Sequence, residues 1–593
     1  MRKSECKEME SIVLSYPRLK NRLKGREKET AKAIDMLYEI AADFSPAAIT
    51  PFNKILDFLV ARLYDGINVE FEDDFKFEEV VKNNCVVVVP NHQSHADYVA
   101  LNYIVYKKFK FPLYVAGGIN LNVFPIGKLF RKCGCFFIRR SFNSDVIYRL
   151  TLEAYLYYLL YTQKPIEFFF EGGRSRTGKL LSPKFGLYHL MFDAHKELPD
   201  DKRKPFKFVP VSILHEYVPE QKTLTRELEG AKKKKESFTQ ILKVFKIFSK
   251  DLGTIHMRFG APIDPVERDD QKEITKGTAF ECFKAVGRNM TITPSALVGM
   301  ILLDEPSGAL KWENIISRAE KMLEYCSKFD VPVSAQLKHE DINKTLERAM
   351  DQLISNKKAK AIGRTRFGQV FYFICPEARF EILYFKNTIM HHFIVPWMVN
   401  LFWINIFNGS LENDEQINGF FERLHKRLQL ELYLPDLDRT IDLAKSIISD
   451  AVGRDIEKLS DCLEFAHKDL YNLASGLSLF SRVCSYIAEG HFIAARAIRA
   501  LAREGKNDFS FDEFFKEYLS VFKFEIEHGN LIKYPESKAK PLIRNSLKYF
   551  DLEEIIVNEK GRYILQDREK LERRINRFSR DLSNELMFNV RES

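Results

Sequence analysis

Residues 86–101 read VVVVPNHQSHADYVAL. Four consecutive valines suit a strand buried on both faces, Pro90 and Asn91 end it, and Ser94 is placed to cap a helix starting at His95. A strand, a polar turn and a helix in that order form the building unit of α/β folds. The same texture continues downstream, where short β-branched and aromatic runs alternate with helical spacing: FPLYVAG (111–117), GCFFIRR (134–140), PIEFFFEGG (165–173), FKFVPVSIL (206–214) and TIHMRFGAPI (254–263). Together these runs predict an α/β domain over residues 71–295, with a largely parallel, buried sheet flanked by helices.

Outside this region the apolar spacing is helical. Residues 1–70 carry AKAIDMLYEIAADF and ITPFNKILDFLVARLY, broken near Ser45 and Pro46, and predict a helical N-terminal region. Residues 296–593 predict a mainly helical C-terminal region. No run of 18 or more apolar residues occurs, so no conventional membrane span is expected. The nearest approach, FIVPWMVNLFWINIF at 393–407, is interrupted by Pro396, Asn400 and Asn405 and reads as a buried or interfacial segment. The lysine run at 232–235 reads first as a solvated face and second as an anion contact.

With 45% hydrophobic and 29% charged residues, the 593-residue chain has the composition of a folded multidomain protein rather than a disordered one. A net charge of +9 is compatible with an anionic partner. Phe is abundant at 49 and Trp scarce at 3, which fits packing and lipid contact better than base stacking, so no nucleic-acid partner is expected. Nine cysteines without a C-x-x-C pair fit a reducing compartment. The charged N-terminus lacks the apolar core of a secretory signal, and the expected location is inside the cell.

Polar clusters stand at the strand exits, where ligands gather in α/β sheets. At the first, His92 and Asp97 would lie about 140° apart on a continuous helix, but a turn followed by a first helical turn can bring them together. The plainest reading is an S-x-x-D cap with a loop histidine beside it. The functional reading makes His92 a general base held in one tautomer by Asp97, with the nucleophile supplied by the substrate. A metal site built on His92, His95 and Asp97 matches no familiar zinc spacing, and neither metal nor cofactor is expected.

The second exit carries Arg139 and Arg140, of which alternation admits one to a site, and Arg139 is the candidate. The third, FFFEGGRSRTGKLLSPKFG (168–186), combines two glycines with Arg174, Arg176, Lys179 and Lys184 and reads as a phosphate site. Residues 173–179 also satisfy G-x-x-x-x-G-K, but Leu180 stands where a P-loop needs Ser or Thr, and Pro183 falls early in the helix that should follow. At the fourth exit, VPVSILHEYVPE, Pro210 suggests an edge strand or a pocket wall, and His215 and Glu216 follow it.

Taken in order, NHQSHADY, GCFFIRRSF, FFFEGGRSRTGK and VPVSILHEYVPE resemble the four sequence blocks of the glycerol-3-phosphate and dihydroxyacetone-phosphate O-acyltransferases. The resemblance extends through YDGINVEF, ELEGAKKKKES and RFGAPI, with a fainter echo in ILYFKNTIMHHF, and covers roughly residues 55–400. It implies that His92 and Asp97 are catalytic, that Arg139, Glu171, Gly172, Gly173, Arg174 and Arg176 bind the phosphorylated acceptor, and that Pro210 lies on the acceptor or acyl-chain side. The implied substrates are glycerol 3-phosphate and an acyl thioester of CoA or acyl carrier protein. The implied setting is a membrane lipid surface on the cytoplasmic side, with peripheral attachment. The fuller third block favours acylation at the sn-1 hydroxyl over the lysophosphatidate step. Dihydroxyacetone phosphate as acceptor, and a non-catalytic lipid- or phosphate-binding scaffold, stand as alternatives.

Overall fold

The computed structural model describes residues 3–139, 145–218, 220–228, 252–305, 307–363, 369–529 and 531–586. Arg140, the lysine run at 232–235 and the terminal NVRES lie outside the described residues. The chain divides into two compact units: the first comprises Met1–Ser175, Leu180–Glu220 and Lys234–Thr291, and the second Arg176–Lys179, Gln221–Lys233 and Ile292–Ser593.

The first unit is built on a seven-stranded sheet of β1 (Gly66–Phe71), β2 (Cys85–Pro90), β3 (Tyr114–Gly118), β4 (Cys135–Ile138), β5 (Ile166–Glu167), β6 (Phe206–His215) and β7 (Thr254–Phe259). Their order across the sheet is β1-β7-β6-β2-β5-β3-β4. All neighbouring pairs are parallel except β6 with β7. The chain thus has the mixed α/β architecture with a mostly parallel sheet that its strand runs predict. The valines of β2 explain why. Val86 and Val88 pack with Val209, Val211, Ile213 and Val115 against Leu101 and Val105 of helix Asp97–Phe109. The opposite face is aromatic, with the Tyr188 and Phe192 rings of helix Gly186–Lys196 packed at a tilt against Phe208, centroids 5.4 and 5.6 Å away. Both faces are covered, as a parallel sheet requires.

Several details depart from the sequence reading. Strand β1 was not among the predicted runs, because its half-buried residues lack a continuous apolar stretch. The run at 165–173 supplies only two strand residues before the chain turns. Pro210 lies on β6, which is interior to the sheet, so the edge-strand expectation is corrected. The missing N–H is absorbed on the β7 side. Phe208 pairs with Ile263 and Val211 with Phe259, so β7 and its extension place three residues opposite two, and the Pro210 carbonyl accepts from Gly260 N–H at 2.8 Å. A bulge of this kind is where an interior proline is tolerated.

Four helices, Lys3–Ser15, Pro17–Leu23, Glu27–Ile40 and Pro46–Leu63, precede the sheet and belong to the first unit. Tyr16 Oη donates to Glu153 at 2.5 Å and Arg18 pairs with the same carboxylate at 2.6 Å, which fastens them to the buried helix Val146–Tyr161.

The second unit is mainly helical, with two three-stranded antiparallel sheets that the apolar spacing did not reveal. These are Ala309–Lys311, Val370–Ile374 and Ala359–Gly363 in one, and Asp508–Ser510, Arg562–Leu565 and Ile556–Glu559 in the other. The aromatic segment at 393–407 belongs to a continuous helical stretch, Pro376–Phe407, which is long and apolar enough to cross a membrane by length and composition. Its apolar window is 89% buried, which is the condition of a core helix.

One buried group in the sheet carries a pH signature. Glu167, on β5, is 0% exposed and neither carboxyl oxygen has a hydrogen-bond partner. Burial, and secondarily the Asp97 charge, push its carboxyl well above the ordinary value. The folded protein therefore keeps a proton that the unfolded chain releases near pH ~4.3, and stability falls as pH rises from there toward the higher value of the folded state. Glu167→Gln removes the titration while keeping the shape. Its melting temperature should exceed that of the wild type at pH ~8 by a few degrees, with no advantage near pH ~4. An equal difference at both pH values would contradict a protonated Glu167.

Candidate active site

Strands β2, β5 and β6 are parallel neighbours, so their carboxyl ends deliver residues 91–97, 168–175, 215–218 and Glu220 to one end of the sheet. Asn91 fixes the first exit. Its side chain donates to the Ile213 carbonyl at 3.0 Å and accepts from Ile213 N–H at 2.6 Å, which continues the β2–β6 ladder through an amide. The turn after it puts His92 Nδ1 2.8 Å from Asp97 Oδ2. The helix begins at Asp97, two residues later than expected, and its N-cap Ala96 offers no side-chain bond. The bonds of an S-x-x-D cap are nonetheless present: Ser94 Oγ accepts Ala96 N–H at 3.1 Å, and Asp97 Oδ2 reaches back to accept the backbone N–H groups of Ser94 at 2.9 Å and Gln93 at 2.7 Å, so one carboxylate both braces the turn and holds His92. Its other oxygen, Oδ1, lies 2.6 Å from His215 Nε2.

Asp97 is wholly buried. Burial opposes its ionisation, but the hydrogen bonds from His215 and His92 outweigh that cost and hold the carboxyl well below the usual carboxylate range. An ionised Asp97 accepts only, so His92 carries its proton on Nδ1 and presents a bare Nε2. The imidazole stacks on Phe169 at 4.0 Å and its side chain is 13% exposed, which fixes the ring while leaving it reachable.

The glycine-rich loop is tied to the same turn. Ser175 N–H donates to the His92 carbonyl at 2.7 Å. The Glu220 carboxylate gathers Ser94 Oγ at 2.9 Å, His95 N–H at 3.1 Å and the Arg174 guanidinium at 3.4 Å. Gly172 adopts φ +67°, a conformation that favours glycine, and a side chain at Gly173 would meet nothing within 4 Å. Glu171 points inward. It is buried and accepts the backbone N–H groups of Leu181 and His92, and burial, together with the Asp97 charge, pushes its carboxyl well above the ordinary range. It braces the His92 turn and is poorly suited to touching a phosphate.

The run that looked continuous in sequence is divided in space. Residues 176–179 belong to the second unit and the chain rejoins the first at Leu180. Gly178, at φ +82°, packs so closely that a Cβ would lie 2.0 Å from the Tyr384 carbonyl, and Asn387 donates to Thr177 O at 2.8 Å. Lys179 pairs with the buried Glu431 at 2.9 Å. Burial alone would raise Glu431, but the Lys179 charge and then His491 outweigh it and leave the carboxyl below its ordinary value. Gly178 and Lys179 therefore anchor this segment inside its own unit. The P-loop-like spacing and the free-cation expectation for Lys179 are both set aside.

Arg139 is engaged elsewhere: its guanidinium grips Glu39 at 2.8 and 2.6 Å and lies over the Tyr148 ring at 4.3 Å. Pro210 sits on β6, and its carbonyl is bonded to Gly260. Sequence reasoning missed Glu220 and Phe169, and placed His215 only as a residue after a strand. Glu216, flagged beside it, serves β7 by accepting from Thr254 N–H at 3.0 Å and lying 3.1 Å from His256 Nε2. Among the described residues no group of three His, Cys, Asp or Glu side chains could hold a metal ion.

A family model described as the glycerol-3-phosphate acyltransferase C-terminal region matches residues 225–559, and one described as acyltransferase matches residues 69–214. The chain is 32% identical over 430 residues to the glycerol-3-phosphate acyltransferase of Actinobacillus pleuropneumoniae serotype 3 (strain JL03), an alignment covering 69% of this chain and 50% of that one. It is 28% identical over 562 residues to the glycerol-3-phosphate acyltransferase of Pseudomonas fluorescens (strain Pf0-1), covering 90% and 65% respectively. The chain thus spans about half the length of the first of these relatives. A solved structure of a 1-acyl-sn-glycerophosphate (LPA) acyltransferase from Thermotoga maritima overlaps 40% of this chain and 76% of its own at 19% identity, with a TM-score of 0.25, too low to bear on the fold.

The Lys179–Glu431 pair gives a stability test, because its side chains are 11% and 0% exposed. Lys179→Met leaves a carboxylate buried without its cation, and the second unit should lose about 3 kcal/mol in urea unfolding. A loss under about 0.5 kcal/mol would show that the pair does not anchor this segment.

Proposed function

Because the chain belongs to the glycerol-3-phosphate acyltransferase family, we propose that it transfers a fatty acyl group from a CoA or acyl-carrier-protein thioester to the sn-1 hydroxyl of glycerol 3-phosphate. The observation that carries this reading is His92 anchored through Nδ1 to a buried, ionised Asp97, beside the loop that bears Arg174. The reaction needs a base and a phosphate dock, but no protein nucleophile.

In this account the acceptor phosphate docks on Arg174, which exchanges its 3.4 Å contact with Glu220 for the stronger anion. Arg139 would have to leave Glu39 to contribute, which places it second to Arg174. His92 Nε2 takes the proton of the sn-1 hydroxyl as that oxygen attacks the thioester carbonyl, and the imidazolium is stabilised through Nδ1 by Asp97. The tetrahedral intermediate collapses with cleavage of the C–S bond. The proton held on Nε2 then passes to the departing thiolate, leaving an ester, a thiol and the original dyad. Docking the phosphate makes attack effectively intramolecular.

The same reading puts the protein at the cytoplasmic face of a membrane, attached peripherally. The exposed Phe58 and Phe124 rings are better candidates for lipid contact than the buried segment at 393–407.

The test is acyl-ester formation from glycerol 3-phosphate, with dihydroxyacetone phosphate in parallel, using palmitoyl-CoA and palmitoyl carrier protein. His92→Ala should lower kcat by about 10² to 10⁴. Full turnover in that variant rejects the general-base role. Arg174→Ala should raise KM for glycerol 3-phosphate about tenfold or more while leaving the thioester KM near wild type. Equal effects on both substrates would reject phosphate docking.

A further inference from the structure

We propose that His215 is a positioning residue for this transfer, acting through Asp97 on His92 in a His–Asp–His chain that rests on the acyltransferase reading above. His215 closes β6 and is 118 residues from Asp97 in sequence, yet its Nε2 lies 2.6 Å from Asp97 Oδ1. The two oxygens of Asp97 are served unequally. Oδ2 receives His92 Nδ1–H and two backbone N–H groups, whereas His215 is the partner found on Oδ1. A carboxylate with donors on one oxygen only is held less firmly against rotation about its Cβ–Cγ bond than one held at both. A donor on the second oxygen fixes the plane, and the plane decides whether Oδ2 meets His92 Nδ1 in line.

The protonation of His215 follows from its surroundings. Its side chain is 0% exposed, and its Nδ1 is buried without a hydrogen-bond partner. A doubly protonated ring would bury an N–H with no acceptor, so the ring is the neutral Nε2–H tautomer. A neutral donor orients the carboxylate without cancelling its charge, and the full negative charge stays available to the imidazolium that forms on His92. A cation at the same place would neutralise Asp97 and weaken His92 as a base. The strand exit makes the arrangement rigid: Ile213, two residues before His215, is bonded to Asn91, immediately before His92. The turn that carries His92 and the strand end that carries His215 thus start from one ladder.

The test uses the full chain with palmitoyl-CoA and glycerol 3-phosphate. His215→Phe keeps a planar ring and deletes the N–H, and His215→Gln keeps an N–H at a similar reach. His215→Phe should lower kcat about 10- to 100-fold, with both KM values changed less than about threefold, and His215→Gln should recover most of the loss. Because His215 acts through His92, adding His215→Phe to His92→Ala should cost nothing further.

A folded His215→Phe protein with wild-type kcat overturns the proposal, as does a multiplicative loss in the double variant. If His215→Phe does not fold, His215→Gln decides, and a kcat collapse with unchanged melting temperature overturns it. If the wild type forms no acyl ester the acyltransferase reading fails, and if His92→Ala keeps wild-type turnover the general-base role fails; either outcome takes the His215 proposal with it and is visible without any His215 variant.

Discussion

An ionised carboxylate with no exposure to water is the constraint on which the site depends. Asp97 is buried beneath the sheet edge and stays charged because imidazole and backbone N–H groups replace the water it has lost. Every element that supplies those donors is thereby committed to one geometry. The turn after β2 must fold back to aim two backbone N–H groups, β6 must end with His215 facing inward, and His92 must present Nδ1. The neighbouring acids respond to the same charge. Glu167 and Glu171 are buried nearby, and burial first, with the Asp97 charge adding to it, raises both. One carboxylate is ionised and two are held neutral, and the difference lies in the number of donors each receives.

The division of labour in the glycine-rich loop has a similar origin. In sequence, EGGRSRTGK offers a uniform field of cations around glycines. In space, Glu171 braces a turn, Arg174 reaches Glu220, and Gly178 and Lys179 are fixed among residues of the second unit. Burial sorts them. Lys179 is matched to a fully buried carboxylate at 2.9 Å, whereas Arg174 meets Glu220 at 3.4 Å.

Much of the fold was legible because strands buried on both faces are rich in β-branched and aromatic residues, as β2 and much of β6 are. β1 was not, since a half-buried strand has no such signature. The six-residue span from His92 to Asp97 was visible as a pair, but its local chemistry pointed to a cap, and the helix start was misplaced by two residues. Asp97 reaches back to Ser94 N–H as a cap acid does, but it also meets His92 and His215, and the partner on β6 is one that no local pattern reveals. Glu220 escaped notice for the same reason: its role is defined by Ser94 and His95, 125 or more residues earlier. Pro210 misled because an interior proline needs a bulge in its partner strand, and the bulge lies at 260–262.

The central claim is that Asp97 holds His92 as the Nδ1–H tautomer with Nε2 free. Nitrogen-15 NMR of the full chain labelled at histidine, with the His92 signals assigned by their loss in a His92 variant, reads this directly. At pH about 8 the account predicts a protonated Nδ1 and a pyridine-like Nε2 for His92. A proton on Nε2 with a bare Nδ1 facing Asp97 would contradict it.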